Sequence, residues 1–299
     1  MSLTHSPYDG SHPLFRIGLA PLDLADWIEV DGNLGRYLDE KDRLNREIPE
    51  KVFAAEAHTQ DAQQEVLDLV SLHVCERFPH IYRREADQVS IEGTGRVVDL
   101  AESNTAPLLT AANLLQEDLV LMRKGETGWR LAAASLCFPS SWRLSEKFGH
   151  ALADVHEPVP GFGRGSRNAA MIERIFDNLQ VELPVWRMNW SVYGDDALYH
   201  VERSGEHLKR LGRDGKPEIS FLRVEYQTLR KLPKSGDILF TIRIHVDPLA
   251  LLWRHPERKR IAAGFCGLLL QLDERQLAYK GLTAAREGLL STLRQIECS

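Results

Sequence analysis

A single histidine, His156, lies where a short amphipathic helix gives way to a loop rich in proline and glycine. The loop reads EPVPGFGRG over residues 157–165, and its prolines lack backbone N–H groups and stiffen the chain. An imidazole held in this way can bind a haem iron through one ring nitrogen while a hydrogen bond fixes the other. The alternative is that His156 only caps the helix, where the helix dipole favours it.

Two other histidines are candidates for the same role. His150 precedes His156 by six residues. Around a helix with 3.6 residues per turn the two side chains point in different directions, so we do not expect both rings to face one iron. His150 is the second candidate ligand. His245, at the end of LFTIRIHV, is the third, with an ordinary strand residue as the alternative.

Hydrophobic periodicity predicts the elements that position these residues. Apolar residues recur at helical spacing over Glu56–Phe78, which predicts a long helix. The turn KGETG between two apolar runs predicts a β-hairpin over Asp118–Phe138. A further helix is expected near Met171–Leu179. Three strands are predicted after it, at Trp186–Tyr193, Ile219–Gln227 and Ile238–Val246.

The ends of the chain read differently from its middle. Residues 1–50 carry scattered Pro, Gly and Asp and predict an irregular N-terminal arm. Residues 248–299 read as a helical extension in three pieces, broken near Pro256 and Gly281. Runs of strands beside runs of helices predict an α+β fold, not a doubly wound sheet, and we expect one domain over residues 1–299.

Composition excludes several classes of protein. The 299 residues carry a formal net charge of −6, which disfavours nonspecific nucleic-acid binding. The four cysteines form no C-x-x-C pair, so no zinc or iron–sulfur site is expected in this chain. The N-terminus lacks an apolar signal segment, and the longest apolar run, Ala262–Leu272, is too short to cross a bilayer. We therefore expect a cytoplasmic protein with reduced thiols and no membrane partner.

Several motifs, in one order along about two-thirds of the chain, carry a family resemblance. They are QEDLVLM from Gln116, FPSSW from Phe138, VHEPVPGF from Val155, RMNW from Arg187, FLRVEYQTLRKLP from Phe221 and LFTIR from Leu239. Together they resemble the alpha subunit of haem-dependent oxidative N-demethylases. Family members usually have arginine where this chain has Tyr226, a difference that bears on substrate identity.

The resemblance implies a fold, a cofactor and partners. It implies a PAS-like antiparallel sheet that binds haem b and oxidises a small secondary alkylamine, such as dimethylamine, with molecular oxygen. The products are a primary amine and formaldehyde. Electrons come from flavin and iron–sulfur centres on partner subunits.

Candidate site residues follow from this chemistry. The axial ligand is His156, and cations for the haem propionates are Arg164, Arg167 and Arg187, with solvated or outward-facing arginines as the alternative. The substrate pocket is expected to use Glu225, Thr228 and Arg223, in which a carboxylate binds the alkylammonium and accepts its proton. The alternative for Glu225 and Arg223 is an ion pair on a sheet face. Five aromatic residues are candidates for the cavity wall, with plain core as the alternative: Trp129, Trp142, Trp186, Trp190 and Phe240.

Three functions compete. The first is the haem subunit of an oxidative N-demethylase, in which the iron does the oxygen chemistry. The second is a haem-based sensor or gas-binding module, since fold does not fix function, although no output domain is recognisable. The third is a scaffold for partner proteins that has lost its haem.

Overall fold

A seven-stranded antiparallel sheet organises the molecule. The computed structural model describes residues 3–12, 14–201 and 220–299. The strands of these residues are β1 (Ala20–Pro21), β2 (Phe53–Ala55), β3 (Tyr82–Glu85), β4 (Gln88–Ile91), β5 (Arg96–Asp99), β6 (Asp118–Gly125), β7 (Gly128–Ser135), β8 (Val185–Tyr193), β9 (Phe221–Lys231) and β10 (Ile238–Pro248). The large sheet has the order β1-β8-β9-β10-β6-β7-β2, and β3, β4 and β5 form a small separate sheet.

Helices cover both faces of the large sheet. They are α1 (Leu34–Glu47), α2 (Pro49–Val52), α3 (Gln60–Arg77), α4 (Pro107–Ala112), α5 (Leu152–Val155), α6 (Arg167–Asn178), α7 (Arg258–Gln271), α8 (Glu274–Lys280) and α9 (Arg286–Cys298). Within the described ranges, no helix combines the length and apolarity that a membrane span requires.

The strands β8, β9 and β10 owe their two distinct faces to the period-two alternation of their side chains. Asn189 of β8 lies directly opposite Glu225 of β9, and Glu225 lies opposite Ile244 of β10. We call the face that carries these residues the cavity face. The other, here the far face, carries Trp190 and Tyr226 and packs against two hydrophobic clusters.

The far face is covered by two hydrophobic clusters, one with helices from the first half of the chain and one with helices from the second. One cluster joins α1, α3 and α4 to the sheet, and the other joins α7, α8 and α9 to β8 and β9. The cavity face is covered by α5, α6 and the segment between β7 and α5, with Ile172 and Phe176 of α6 packed towards the sheet. Both faces of the sheet are therefore buried over its centre.

The structure confirms the α+β prediction and most of the predicted elements. The hairpin, the helix α6 and the strands β8 and β10 lie where the sequence placed them, and the predicted long helix is α3 preceded by a 3-10 turn. Strand β9 begins at Phe221 and extends to Lys231, beyond the predicted end, while Ile219 lies outside the described residues. The PAS-like description stays a prediction from the resemblance.

One prediction about the chain ends was wrong, and the other was incomplete, since the breaks near Pro256 and Gly281 are present but a third break was missed. Residues 34–47 are not irregular but form α1, whose Leu34, Leu38 and Leu44 recur at helical spacing and are buried. The C-terminal part also contains a break at Leu272–Asp273, which separates α7 from α8. Asp273 begins α8 with a capping box to Gln276, a signal that the sequence carries.

Candidate functional site

A cavity of about 990 Å³ lies between the cavity face and the chain that covers it. Strands β6, β8, β9 and β10 form its floor, and the segment 138–163, α6 and α8 form its walls. Most of its lining is apolar, including Phe138, Phe162, Phe176, Phe240 and Ile242. A large apolar cavity with a few polar groups is the usual form of a cofactor or substrate site.

His156 lies on the wall of this cavity, at the C-terminal end of the one-turn helix α5. Its Nδ1 is 2.8 Å from the carbonyl oxygen of Leu152, so this nitrogen carries the proton and donates it. Burial lowers the pKa of His156 to about 4, against the opposing effect of the Leu152 bond, and the charges of Lys147 and Arg187 lower it further. The ring is therefore neutral at neutral pH. Within the described ranges, its Nε2 has no hydrogen-bond partner.

The loop after His156 folds back along the cavity. Val159, Gly161, Phe162 and Gly163 line the cavity, and Gly161 adopts a φ of 81°, which an L side chain rarely tolerates. The Phe162 ring lies 6.4 Å from the imidazole, centroid to centroid. The proline- and glycine-rich sequence thus encloses the histidine instead of leading away from it.

A carboxylate on the cavity floor is held by two amide side chains. Glu225 of β9 is 8 % exposed, and its Oε2 accepts hydrogen bonds from Gln227 at 2.6 Å and Asn189 at 3.3 Å. All three residues line the cavity. The two amides fix the orientation of the carboxylate and leave its other oxygen for a ligand.

Two cations accompany this carboxylate. Arg187 of β8 and Lys147 of the covering segment both line the cavity. The Arg187 Nε is buried and has no hydrogen-bond partner among the described residues. Burial lowers the pKa of Arg187, and it lowers the pKa of Lys147 to about 8, with the attraction of Glu225 opposing both shifts. The Lys147 ammonium also lies 4.3 Å from the centroid of the Trp142 ring.

Arg223 has a different environment from Arg187, although both are on the cavity face. It is 1 % exposed and does not line the cavity. Its guanidinium donates to the carbonyl oxygens of Phe138, Pro139, Ala197 and Leu198 and to the Ser140 hydroxyl. Arg223 therefore ties two covering segments to the sheet, and no bond to Glu225 is among its contacts.

Thr228 and Tyr226 lie on the far face, because they are an odd number of residues from Glu225 along one strand. The Thr228 hydroxyl is fully buried and lies 2.6 Å from that of Thr241. The Tyr226 hydroxyl donates to the carbonyl oxygen of Asp26. The structure thus separates Thr228 from the cavity, so it is not available to a ligand there.

The arginines that follow the loop also lie away from the cavity. Arg164 is exposed, pairs with the Asp154 carboxylate and does not line the cavity. Arg167 is exposed at the first turn of α6, which Ser166 caps through the Ala169 N–H. Proximity to His156 in sequence therefore does not bring these two residues to its ring.

The other candidates divide in the same way. His150 is exposed, and His245 is on the far face and bonded to Glu29, so neither lines the cavity. Among the five aromatic candidates, the cavity is lined by Trp142 and Phe240. The remaining three lie elsewhere in the fold: Trp129, Trp186 and Trp190.

Sequence reasoning missed Lys147, Asn189 and Gln227 as site residues. A signal for Asn189 exists, because Arg187, Asn189 and Ser191 alternate with apolar residues and so mark a polar stripe on one face of β8. Lys147 lies in an irregular turn, where no periodicity indicates the direction of a side chain.

The fold and the site define an α+β protein with a largely apolar internal cavity, one neutral imidazole and buried charges that face the cavity. Residues 18–290 match the family described as haem-dependent oxidative N-demethylase, alpha subunit-like. The chain belongs to this family, as its sequence motifs predicted.

Proposed function

We propose that this chain is the haem-binding subunit of an oxidase that demethylates a small secondary alkylamine to a primary amine and formaldehyde. The observation that carries the proposal is the neutral imidazole of His156, whose unprotonated nitrogen is unpaired beside a large apolar cavity. The family description supports haem dependence and an oxidative N-demethylase chemistry.

The residues around the cavity fit a haem b group. The Leu152 carbonyl fixes the tautomer of His156 and leaves Nε2 unprotonated, with its lone pair available to a metal. Metal-bound histidines use this arrangement. A volume of about 990 Å³ lies at the upper end of the range for ligand cavities, as a porphyrin requires. His156 is accordingly proposed as the axial ligand.

The haem propionates need cations, and five basic side chains line the cavity: Arg16, Lys147, Arg187, Arg275 and Lys280. Lys280 already donates to the Asn189 side chain and the Trp190 carbonyl. Arg187 and Lys147 are half-buried at the cavity, the Arg187 Nε is fully buried, and no carboxylate bonds directly to either residue among the described residues. A buried charge without a partner is costly and indicates a missing anion. We therefore assign propionate binding to Arg187 and Lys147, in place of Arg164 and Arg167.

Glu225 is proposed to receive the substrate. An alkylammonium ion is a cation near neutral pH, and the free oxygen of Glu225 is available to bind it and to accept its proton. Asn189 and Gln227 hold the carboxylate in one orientation for this transfer. Bound haem would supply the oxygen chemistry, and reducing equivalents from flavin and iron–sulfur centres on partner subunits would complete the reaction. Arg223 acts through the covering segments that it ties down, as a positioning residue.

The first experiment tests the axial ligand. Haem is titrated into wild type, His156→Ala and His150→Ala, with the Soret band as the readout. His156→Ala is expected to lose stoichiometric binding, while His150→Ala, an exposed histidine from the same segment, retains it. Full haem binding by a folded His156→Ala protein would overturn the assignment.

The second experiment tests turnover. The reconstituted protein is supplied with a reductase, oxygen and dimethylamine, and formaldehyde is measured. Glu225→Gln is expected to keep its haem and to lower kcat/KM by about 100-fold, the usual effect of removing a positioned acid or base. Tight binding of oxygen or carbon monoxide without turnover of any alkylamine would instead favour the haem-based sensor.

A further inference from the structure

Three potential metal ligands from distant parts of the chain meet on the far face of the sheet. They are His5 from the N-terminal segment, Glu29 from the chain before α1, and His245 of β10. Their ligand atoms all lie within 4.8 Å of one another. The His5 Nε2 is 2.8 Å from one oxygen of Glu29, and the His245 Nε2 is 2.8 Å from the other.

We propose that His5, Glu29 and His245 bind a divalent transition-metal ion of the Zn²⁺ type. The donor set of two imidazoles and one carboxylate is one that Zn²⁺ and other first-row metals accept. The site is independent of the proposed haem chemistry, because it lies on the opposite face of the sheet from the cavity.

The spacing of the ligand atoms suits this ion. Tetrahedral coordination at about 2.0–2.1 Å places neighbouring ligand atoms about 3.3 Å apart. The two measured Nε2–oxygen distances are 2.8 Å and no pair of ligand atoms is more than 4.8 Å apart, so a small rotation of side chains closes the site. His245 is 5 % exposed and belongs to a paired strand, which gives the site one rigid ligand.

Further carboxyl groups lie close to the three ligands. Asp31, Asp247 and the buried Glu117 all lie near the three ligands, and Glu117 also accepts the Glu29 backbone N–H. One Glu117 oxygen is buried and has no hydrogen-bond partner among the described residues. The nearest guanidinium, of Arg243, already pairs with Asp31 at 2.9 Å.

A bound metal would cross-link the N-terminal segment to the sheet. This segment already packs through Tyr8, whose ring lies 5.0 Å from that of Phe265 in α7, and Asp9 pairs with Arg260. A metal bond through His5 adds a cross-link between residues far apart in sequence, which constrains the unfolded chain. The expected readout is therefore stability as well as binding.

The experiment is a Zn²⁺ titration of untagged protein that has been freed of metal with a chelator. Calorimetry is expected to show one equivalent bound, Co²⁺ to show the visible absorption of a low-coordinate site, and the Tm to rise on Zn²⁺ addition. His5→Ala is expected to weaken binding at least 100-fold and to abolish the rise in Tm. His12→Ala, on the same segment, and His156→Ala, in the cavity, are expected to leave both unchanged.

The proposal is overturned if wild type binds no equivalent of Zn²⁺, or if His5→Ala binds it as tightly as wild type does. It is also overturned if His156→Ala alone removes the binding, since the metal would then be in the cavity. Glu29→Gln, which keeps the size of the side chain, provides a second test should His5→Ala fail to fold. A cluster that is only a hydrogen-bonded network predicts the same Tm with and without Zn²⁺ in every variant.

Discussion

Two arginines on neighbouring strands of one sheet face have opposite environments. Arg223 of β9 donates to four backbone carbonyls and one hydroxyl, and it does not reach the cavity. Arg187 of β8 lines the cavity, and its buried Nε donates to no described residue. The fold thus uses the hydrogen-bond donors of Arg223, whereas the Nε–H of Arg187 has no acceptor among the described residues.

This difference distinguishes a structural charge from a ligand-binding charge. Buried polar groups in folded proteins are almost always hydrogen-bonded, so a buried guanidinium without acceptors indicates a site that a ligand completes. Arg223 instead fixes the segment 138–140, which Asp118 also holds by accepting the N–H groups of Cys137 and Phe138 at 2.8 Å. The motif FPSSW is therefore part of the cavity wall.

The largest expected effect is that of Arg223→Leu on folding. The substitution leaves four carbonyl oxygens without their donor in a buried region, and we expect the free energy of unfolding of the haem-free protein to fall by about 4 kcal/mol. Urea denaturation measures it. A loss below about 1 kcal/mol would mean that water replaces the guanidinium, and the contrast with Arg187 would then disappear.

Lys147 is expected to make stability depend on pH. Burial holds its pKa at about 8 in the folded protein, whereas the unfolded chain has the ordinary value of about 10.4. Between these values the unfolded state binds more protons, so the free energy of unfolding rises with pH. We expect a gain of about 2 kcal/mol from pH 7 to pH 10, relative to Lys147→Met.

The measurement is urea denaturation of both haem-free proteins at the two pH values. Parallel pH profiles for wild type and Lys147→Met would show that Lys147 ionises freely in water.

The parts of this fold that the sequence predicted are those with a strong period. Helix α3 and strands β8 and β10 follow from apolar spacing, and the side of the sheet that carries Glu225 follows from alternation along β9. The same alternation already places Thr228 on the other side, so that error was avoidable from the sequence. The position of His156 at a helix end before a stiff loop also follows from the sequence, whereas its role as a metal ligand stays a prediction.

Other parts depend on packing that no local pattern shows. Helix α1 was missed because its charged residues outnumber its apolar ones, and tertiary contact decides its structure. Arg164 was placed at the cavity because it follows His156 closely, yet the intervening loop turns it outward to Asp154. The difference between Arg187 and Arg223 depends on distant segments that reach one of them and not the other.

Arg187→Met is expected to separate stability from ligand binding. Methionine keeps much of the side-chain volume and removes an unpaired buried charge, so the haem-free protein should be as stable as wild type or slightly more so. Haem affinity should fall about tenfold, or about 1.4 kcal/mol, because one cation for the propionates is lost. Urea denaturation and haem titration on one preparation give both values. A large loss of stability with unchanged haem affinity would show that Arg187 stabilises the fold and does not bind the haem.

Thr228→Val is expected to have the smallest effect and to mark the boundary between the two sheet faces. It removes one hydroxyl from the buried Thr228–Thr241 pair on the far face and should lower the free energy of unfolding by about 1 kcal/mol, because the Thr241 hydroxyl loses its partner. The double variant Thr228→Val/Thr241→Val removes both hydroxyls and should recover most of this loss. Neither variant should change haem affinity or amine turnover. A drop in turnover for Thr228→Val would show that far-face packing controls the cavity, and the separation of the two faces would no longer hold.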